Sequence, residues 1–279
     1  MTSFTKAMPL RSNTAQTSLL KSLHWAGCGL FLVAFGLVWL DQLRPLRGLQ
    51  DAGWPMAVLL LAAAITTLTS LARQLPGQNV LLAAGIIALL GGGTHAVGAL
   101  AGVPFGPFTF TSAAGPALFD TLPWSAPFVW VVFIFNARGV ARLILRPWRK
   151  LRAYGFWLIG LTAALALLLD LALEPFASCV KNYWIWAPTK LPLVWCRTPA
   201  TNFLGFTVAA LLMLAFATPA LINKSHTKFP SDYHPAGMWL LLNLLFATGA
   251  AQQHLWPAVG LIGASVAVTG VFTVRGARW

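Results

Sequence analysis

The stretch GFWLIGLTAALALLLDLAL, which runs from Gly155 to Leu173, decides the fold of this chain. It is almost wholly apolar over about the length, roughly 20 residues, that a helix needs to cross the hydrocarbon core of a bilayer. Across the chain 58% of the residues are apolar and 9% are charged, whereas about a quarter of the residues in a soluble domain are charged. A disordered chain needs the reverse balance. The sequence therefore predicts an integral membrane protein.

Further stretches of this kind lie on either side of the first, and together they predict eight spans. The last two are separated only by His254 and Leu255, so seven spans is the alternative. The expected fold is an all-α polytopic transmembrane helical bundle, with an N-terminal segment over 1–22 and a single integral membrane helical domain over 23–279. The other predicted spans are Leu23–Leu40, Gly53–Ala72, Val80–Val103, Ala126–Leu145, Phe203–Ile222, Ala236–Gln253 and Trp256–Val274.

The charge of the chain is strongly basic, with 19 Lys and Arg against 6 Asp and Glu and a net charge of +13. Basic residues gather in the cytoplasmic loops of membrane proteins and near anionic headgroups, so we expect membrane lipid rather than nucleic acid as the partner. When the spans alternate from an N-terminus inside, most Lys and Arg fall on the cytoplasmic side. This distribution predicts that both termini are cytoplasmic. The first apolar run is longer than the core of a secretory signal, which indicates a retained helix.

Two acids stand at the outer end of the fifth predicted span. Asp170 and Glu174 are four residues apart and therefore share one face of a helix. An ionisable group inside a span is costly and usually faces the bundle interior, so both are candidate functional residues. His95 in the third span is either a hydrogen-bonded packing residue or a group that exchanges protons near neutral pH. Arg138 in the fourth span either extends its charged end to the cytoplasmic face, or pairs with an acid or anchors a polar network.

Two loops rich in aromatic residues follow the third and the fifth spans. Their Trp and Tyr residues form either an aromatic belt at the membrane interface or the lining of a cavity. Cys179 and Cys196 share the second loop and can form a disulfide if that loop faces an oxidising compartment. The chain has no phosphate-binding glycine loop, metal-spaced His and Cys cluster or nucleophile elbow, so no cofactor and no metal is predicted. The aromatic candidates are Phe105, Phe108, Phe110, Trp184 and Trp186.

Four ordered blocks resemble the signatures of the membrane carotenoid biosynthesis proteins. They are GVPFGPFTFT from Gly102, DLALEP from Asp170, WIW from Trp184 and TPATNFLGF from Thr198. The resemblance covers roughly 91–222. It implies a carotenoid hydratase like the gamma-carotene and bisanhydrobacterioruberin hydratases, with a lipophilic carotenoid substrate and a multi-pass location in the bacterial cytoplasmic membrane. A homo-oligomer, or association with other carotenoid enzymes, is a further expectation.

The chain departs from the family pattern at four positions. His95 stands where the family usually has Glu, Phe108 and Phe110 stand where it commonly has Tyr, and Phe206 stands where it often has Trp. These departures remove one carboxyl group and two phenols. They bear on the exact reaction and leave the expected fold unchanged.

For the reaction that the resemblance implies, each part has a candidate. Asp170 is the expected proton donor, because burial in an apolar site favours the neutral form of a carboxyl group. Glu174 or His95 orients or deprotonates the water, and Asn202 holds the water or the acid by hydrogen bonds. The five aromatic candidates shelter a cation over their faces. The rival hypotheses are a related polyisoprenoid enzyme with altered chemistry, a pigment-binding subunit without activity, and a transporter, which the lack of internal symmetry disfavours.

Overall fold

The structure is a computed structural model that describes residues 14–44, 46, 54–189, 193–222 and 231–279. Most of the predicted N-terminal segment, residues 1–13, lies outside the described residues. Gly53, the first residue of the second predicted span, lies outside them as well.

Eight α-helices form the described part of the chain, which confirms the predicted all-α helical bundle. Most bounds lie within a few residues of the prediction, although the first helix begins at Thr14 rather than Leu23, because the polar residues before the apolar run continue the helix. The helices are α1 Thr14–Leu43, α2 Trp54–Ala72, α3 Gly77–Ala101, α4 Ala126–Ile144, α5 Tyr154–Pro175, α6 Ala200–Ala217, α7 His234–Gln252 and α8 Trp256–Ala277.

Seven of these helices are long and apolar enough to cross a membrane, and α7 is the exception. Its sequence contains polar or weakly apolar residues such as His234 and Asn243, which lower its mean hydropathy. The side chain of Asn243 is fully buried and donates to the carbonyl of Trp239 over 2.8 Å. Helix α7 packs against α1, α4, α5 and α8. The amide nitrogen of Asn243 therefore has its partner within α7, whereas the amide oxygen has no partner among the described residues.

Helix α4 lies at the centre of the bundle and contacts α2, α3, α5, α7 and α8. Arg138 on this helix is 6% exposed, and its guanidinium donates to the carbonyl oxygen of Leu221 over 3.0 Å. Of the two interpretations of Arg138, these contacts favour a polar contact inside the protein over extension to the cytoplasmic face. The backbone carbonyl of Leu221, in the 3-10 turn that follows α6, accepts from the charged group inside the protein.

The described parts of the α3–α4 loop and the α5–α6 loop contain three short antiparallel strand pairs. One of them joins the two loops, since Phe108 pairs with Trp186 and Phe110 pairs with Trp184. This pairing brings together two segments that are far apart in sequence. The strands are β1 Phe108–Phe110, β2 Ala117–Leu118, β3 Leu122–Pro123, β4 Trp184–Trp186, β5 Val194–Trp195 and β6 Thr198–Pro199, paired as β1–β4, β2–β3 and β5–β6.

Candidate active site

The end of α5 is shaped by a proline. Pro175 has no backbone N–H, so the carbonyl of Leu171 loses the donor that a regular helix would supply. The indole nitrogen of Trp195 donates to that carbonyl over 3.0 Å. A π-helical turn then runs from Phe176 to Val180, and the hydroxyl of Ser178 donates to the carbonyl of Glu174 over 2.6 Å. The C-terminal end of α5, which carries both acids, is thus fixed by side chains that follow it.

Glu174 accepts hydrogen bonds from four side chains of the part of the chain that the structure describes. The indole nitrogens of Trp184 and Trp186 donate to Oε2 over 3.1 and 3.0 Å, and the hydroxyl of Thr198 donates to the same oxygen over 2.8 Å. The amide of Asn202 donates to Oε1 over 3.2 Å. An ionised carboxylate only accepts hydrogen bonds and offers about four lone-pair sites. This set of donors therefore suits a carboxylate at Glu174.

Asn202 connects the two acids, which we call the carboxyl pair. Its amide nitrogen donates to Asp170 Oδ2 over 3.2 Å as well as to Glu174. Asp170 is 5% exposed, Glu174 3% and Asn202 4%. Asn202 is the only described residue whose side chain donates to Asp170, and no Lys or Arg among the described residues pairs with either acid. Two adjacent buried acids thus have unequal hydrogen-bond support.

His95 lies among aromatic rings, with the rings of Phe105 and Trp130 next to it. The indole nitrogen of Trp130 donates to His95 Nδ1 over 2.9 Å. Because an indole nitrogen is only a donor, Nδ1 accepts, and a neutral ring carries its proton on Nε2. The Trp130 ring also stacks on Phe206, with centroids 4.3 Å apart and an angle of 17° between the planes. His95 therefore presents an N–H group in a fixed orientation.

The aromatic candidates form one continuous surface, which we call the aromatic wall: Phe105, Phe108, Phe110, Trp184 and Trp186. Phe108 lies 5.0 Å from Phe110 and 5.0 Å from Trp186, measured between ring centroids. Phe110 lies 6.1 Å from Trp184. Since the two Trp residues also bond Glu174, the β1–β4 pairing joins the aromatic wall to the carboxyl pair.

A cavity of about 810 Å³ lies between these groups. This volume falls within the range of about 300 to 1,000 Å³ that is usual for small-molecule sites. The cavity continues to apolar side chains of α1, α2 and α7, among them Leu37, Met56 and Leu245. All of the predicted site residues line it, namely His95, Phe105, Phe108, Phe110, Asp170, Glu174, Trp184, Trp186 and Asn202.

Sequence analysis missed three residues of the site. Trp130 holds His95, Thr198 binds Glu174, and Tyr183 lines the cavity. Burial raises the pKa of Tyr183 to about 12, so its phenol is neutral at physiological pH. A signal was present for Trp130, because a buried indole N–H inside a span needs a hydrogen-bond partner.

The two cysteines of the α5–α6 loop are free thiols. The Cys179 thiol donates to the carbonyl of Cys196 over 3.4 Å. Burial raises the pKa of the Cys196 thiol, and the neighbouring Cys179 adds to that effect. The disulfide that sequence analysis left open is therefore not formed in this structure.

The comparisons with known proteins give one match. A family model described as carotenoid biosynthesis protein matches residues 54–270. The chain belongs to this family. No curated protein and no solved structure matches it. The matched region of this multi-pass membrane protein contains the whole carboxyl pair and aromatic wall, whereas the part of the cavity that α1 lines lies outside it.

Gly98 lets the aromatic wall pack closely against α3. A Cβ at Gly98 would stand 2.8 Å from the Phe105 ring and 3.1 Å from the Phe108 ring. We expect Gly98→Ala to lower the free energy of unfolding by about 1 to 3 kcal/mol through overpacking. Unfolding in mixed micelles, followed by tryptophan fluorescence, measures this change.

Gly85→Ala on the same helix is the matched control, because a Cβ there meets nothing within 4 Å. Alanine favours a helix interior, so this variant is expected to be about 0.5 to 1 kcal/mol more stable than the parent. Equal stability of the two variants would contradict the close packing of Phe105 against α3.

Proposed function

We propose that the protein is a cofactor-independent hydratase that adds water to the terminal double bond of an acyclic carotenoid end group. The observation that supports this most directly is the carboxyl pair bridged by Asn202 beneath the aromatic wall, in a member of a carotenoid biosynthesis family. Hydration of an alkene needs an acid, a shelter for a tertiary cation and a directed water. The cavity offers a candidate for each of these.

Asp170 is the proposed proton donor. It has one side-chain donor among the described residues, whereas Glu174 has four, so the proton of the pair belongs on Asp170. In the first step the π electrons of the alkene take this proton and form a new C–H bond. The other alkene carbon becomes a tertiary cation, and Asp170 becomes a carboxylate. General acid catalysis of this kind contributes about 10² to 10⁴ in rate.

Glu174 is the proposed acceptor of the proton that the water gives up. Three donors occupy Oε2 and one occupies Oε1, so Oε1 retains capacity to accept. The water oxygen forms the C–O bond, and its proton passes to Glu174 and from there returns to Asp170. The net change is the addition of one water molecule. His95 fits the role of orienting the water by its Nε2 proton better than the role of base, because Trp130 already occupies Nδ1.

The aromatic wall supports the cationic intermediate. Faces of Phe and Trp rings attract a cation, and the attraction grows when water is excluded. Phe105 is 1% exposed and Phe108 is 7% exposed, so these rings are shielded from solvent. The apolar extension of the cavity between α1, α2 and α7 offers room for the polyene chain. A substrate dissolved in the bilayer of the bacterial cytoplasmic membrane is expected to enter between helices.

The test is to express the chain in cells that accumulate lycopene or another acyclic-ended carotenoid. Liquid chromatography with mass spectrometry then compares the pigments with those of cells that lack the protein. A new pigment heavier by the mass of one water supports the proposal. A pigment that copurifies with the protein in fixed ratio, without any new product across several acyclic substrates, contradicts it and favours a pigment-binding subunit.

A further inference from the structure

A second cluster of chemically active side chains lies away from the cavity, where α1 meets the start of α7. His24 and Cys28 are four residues apart on α1, and His234 is the first residue of α7. One ligand atom from each residue lies within 4.8 Å of the others. We propose that these three side chains bind a borderline transition-metal ion such as Zn²⁺.

The distance between two of the ligand atoms suits tetrahedral coordination. Cys28 Sγ and His24 Nε2 are 3.7 Å apart. Zn–S bonds of about 2.3 Å and Zn–N bonds of about 2.0 to 2.1 Å place two ligands of a tetrahedral ion roughly 3.6 Å apart. Two imidazoles and one thiolate are a ligand set that such ions prefer. A metal between these atoms therefore requires little movement on α1.

The hydrogen bonds of Thr69 set the orientation of His24. The Thr69 hydroxyl donates to the carbonyl of Ile65 over 2.7 Å, so its oxygen accepts from His24 Nδ1 over 3.1 Å. With the proton on Nδ1, the lone pair of Nε2 faces Cys28. A metal-binding histidine usually donates its other ring N–H to such an outer partner, which fixes the tautomer. Thr69 on α2 is therefore a positioning residue for the site.

His234 provides an independent observation. Both of its ring nitrogens are buried, and neither has a hydrogen-bond partner among the described residues. Buried polar atoms in folded proteins nearly always have a partner, and an ion is one of the accepted explanations for an exception. The ring lies 5.1 Å from the His24 ring, measured between centroids. A metal ion shared with His24 gives one of these nitrogens its partner.

Nearby charges are compatible with a cation. Asp232 accepts from the backbone N–H of His234 over 3.0 Å, and its other oxygen accepts from Ser70 over 2.7 Å and from Gln74 over 2.6 Å. The carboxylate thus lies beside the cluster in a fixed position, and its negative charge offsets the positive charge of the exposed Arg73. A bound ion would tie α1 to α7. Sequence analysis predicted no metal because His234 is remote from His24 in the sequence.

The experiment uses the full chain, purified in detergent with a tag that contains no histidine. After treatment with chelator, the protein is titrated with Zn²⁺ and, separately, with Co²⁺ as a spectroscopic probe. We expect one Zn²⁺ per chain by elemental analysis. We also expect a thiolate-to-cobalt charge-transfer band together with the strong visible bands of tetrahedral Co²⁺.

The variants separate a metal site from a packing cluster. Cys28→Ser is expected to abolish the charge-transfer band, and His234→Gln is expected to abolish the binding of zinc. Cys196→Ser and His254→Ala change the same residue types elsewhere and are expected to retain both the band and the zinc. Thr69→Val keeps the shape of the side chain and is expected to lower zinc affinity about 10- to 100-fold. Zinc content that is absent from the parent, or equal in the parent and in both ligand variants, would overturn the proposal. Gel filtration and the helical circular dichroism signal show whether each variant is folded.

Discussion

Asp170→Asn is expected to lower the yield of hydrated carotenoid per chain by about 10² to 10⁴-fold, the usual contribution of a general acid. An amide has no acidic proton to give to the alkene. Asn at this position keeps an oxygen that accepts the hydrogen bond from Asn202, so the fold is expected to persist. Liquid chromatography with mass spectrometry measures the product, normalised to the amount of inserted protein.

The matched control is Asp120→Asn, which makes the same chemical change outside the cavity. Asp120 lies in the exposed turn between β2 and β3 and has a φ of 54°. Asparagine tolerates this left-handed conformation well. The control is expected to keep the parent's yield. An unchanged yield in Asp170→Asn would remove Asp170 from the role of proton donor.

Glu174→Ala is expected to destabilise the protein as well as to abolish hydration. The truncation leaves the indole N–H groups of Trp184 and Trp186 and the hydroxyl of Thr198 without their shared acceptor. Each buried polar group left unpaired costs about 1 to 3 kcal/mol, so we expect a loss of about 3 kcal/mol or more. Unfolding in mixed micelles, followed by circular dichroism, measures it.

A double-mutant cycle with Trp186→Phe tests the cause of this loss. Phenylalanine keeps a ring beside Phe108 and removes one of the donors to Glu174. The cost of Glu174→Ala is expected to be smaller by about 1 kcal/mol or more when Phe stands at position 186, because one fewer donor is left unpaired. Strictly additive effects would show that Trp186 and Glu174 do not interact energetically.

The helical fold followed from sequence because span length and apolar composition act locally. Gly155–Leu173 alone predicts α5 to within a few residues. The same criterion gave the helix in α7 and did not show that the amide nitrogen of Asn243 donates to the carbonyl of Trp239. The two interpretations of Arg138 could not be separated for a related reason, since its partner is the carbonyl of Leu221, in the turn that follows another helix.

Parts of the site were also predictable. The spacing of Asp170 and Glu174 places both on one helix face, and the cost of burying acids in a membrane marked them as candidates. Their common link to Asn202 depends on how α5 packs against α6, which no local pattern in the sequence encodes. The placement of the acids was thus foreseeable, whereas their hydrogen bonds were not.

The pairing of the two loops was beyond sequence analysis. Each of the paired strands has three residues, too few for an alternating pattern to predict a strand or its register. Nothing local indicates that Phe108 lies opposite Trp186. The residue types alone predicted the aromatic candidates, and the β1–β4 pairing brings them together in the structure.

The short connection between α7 and α8 decides whether the number of membrane crossings is even or odd. Helix α7 ends at Gln252 and α8 begins at Trp256, so the two helices form an antiparallel hairpin packed side by side. At about 1.5 Å per residue, α7 is nearly as long as the hydrocarbon core is thick, roughly 30 Å. If α8 crosses the bilayer, α7 must cross it in the opposite direction. An even number of crossings then places the start of α1 and the end of α8 on the same side of the bilayer, although a count by hydropathy alone would separate them.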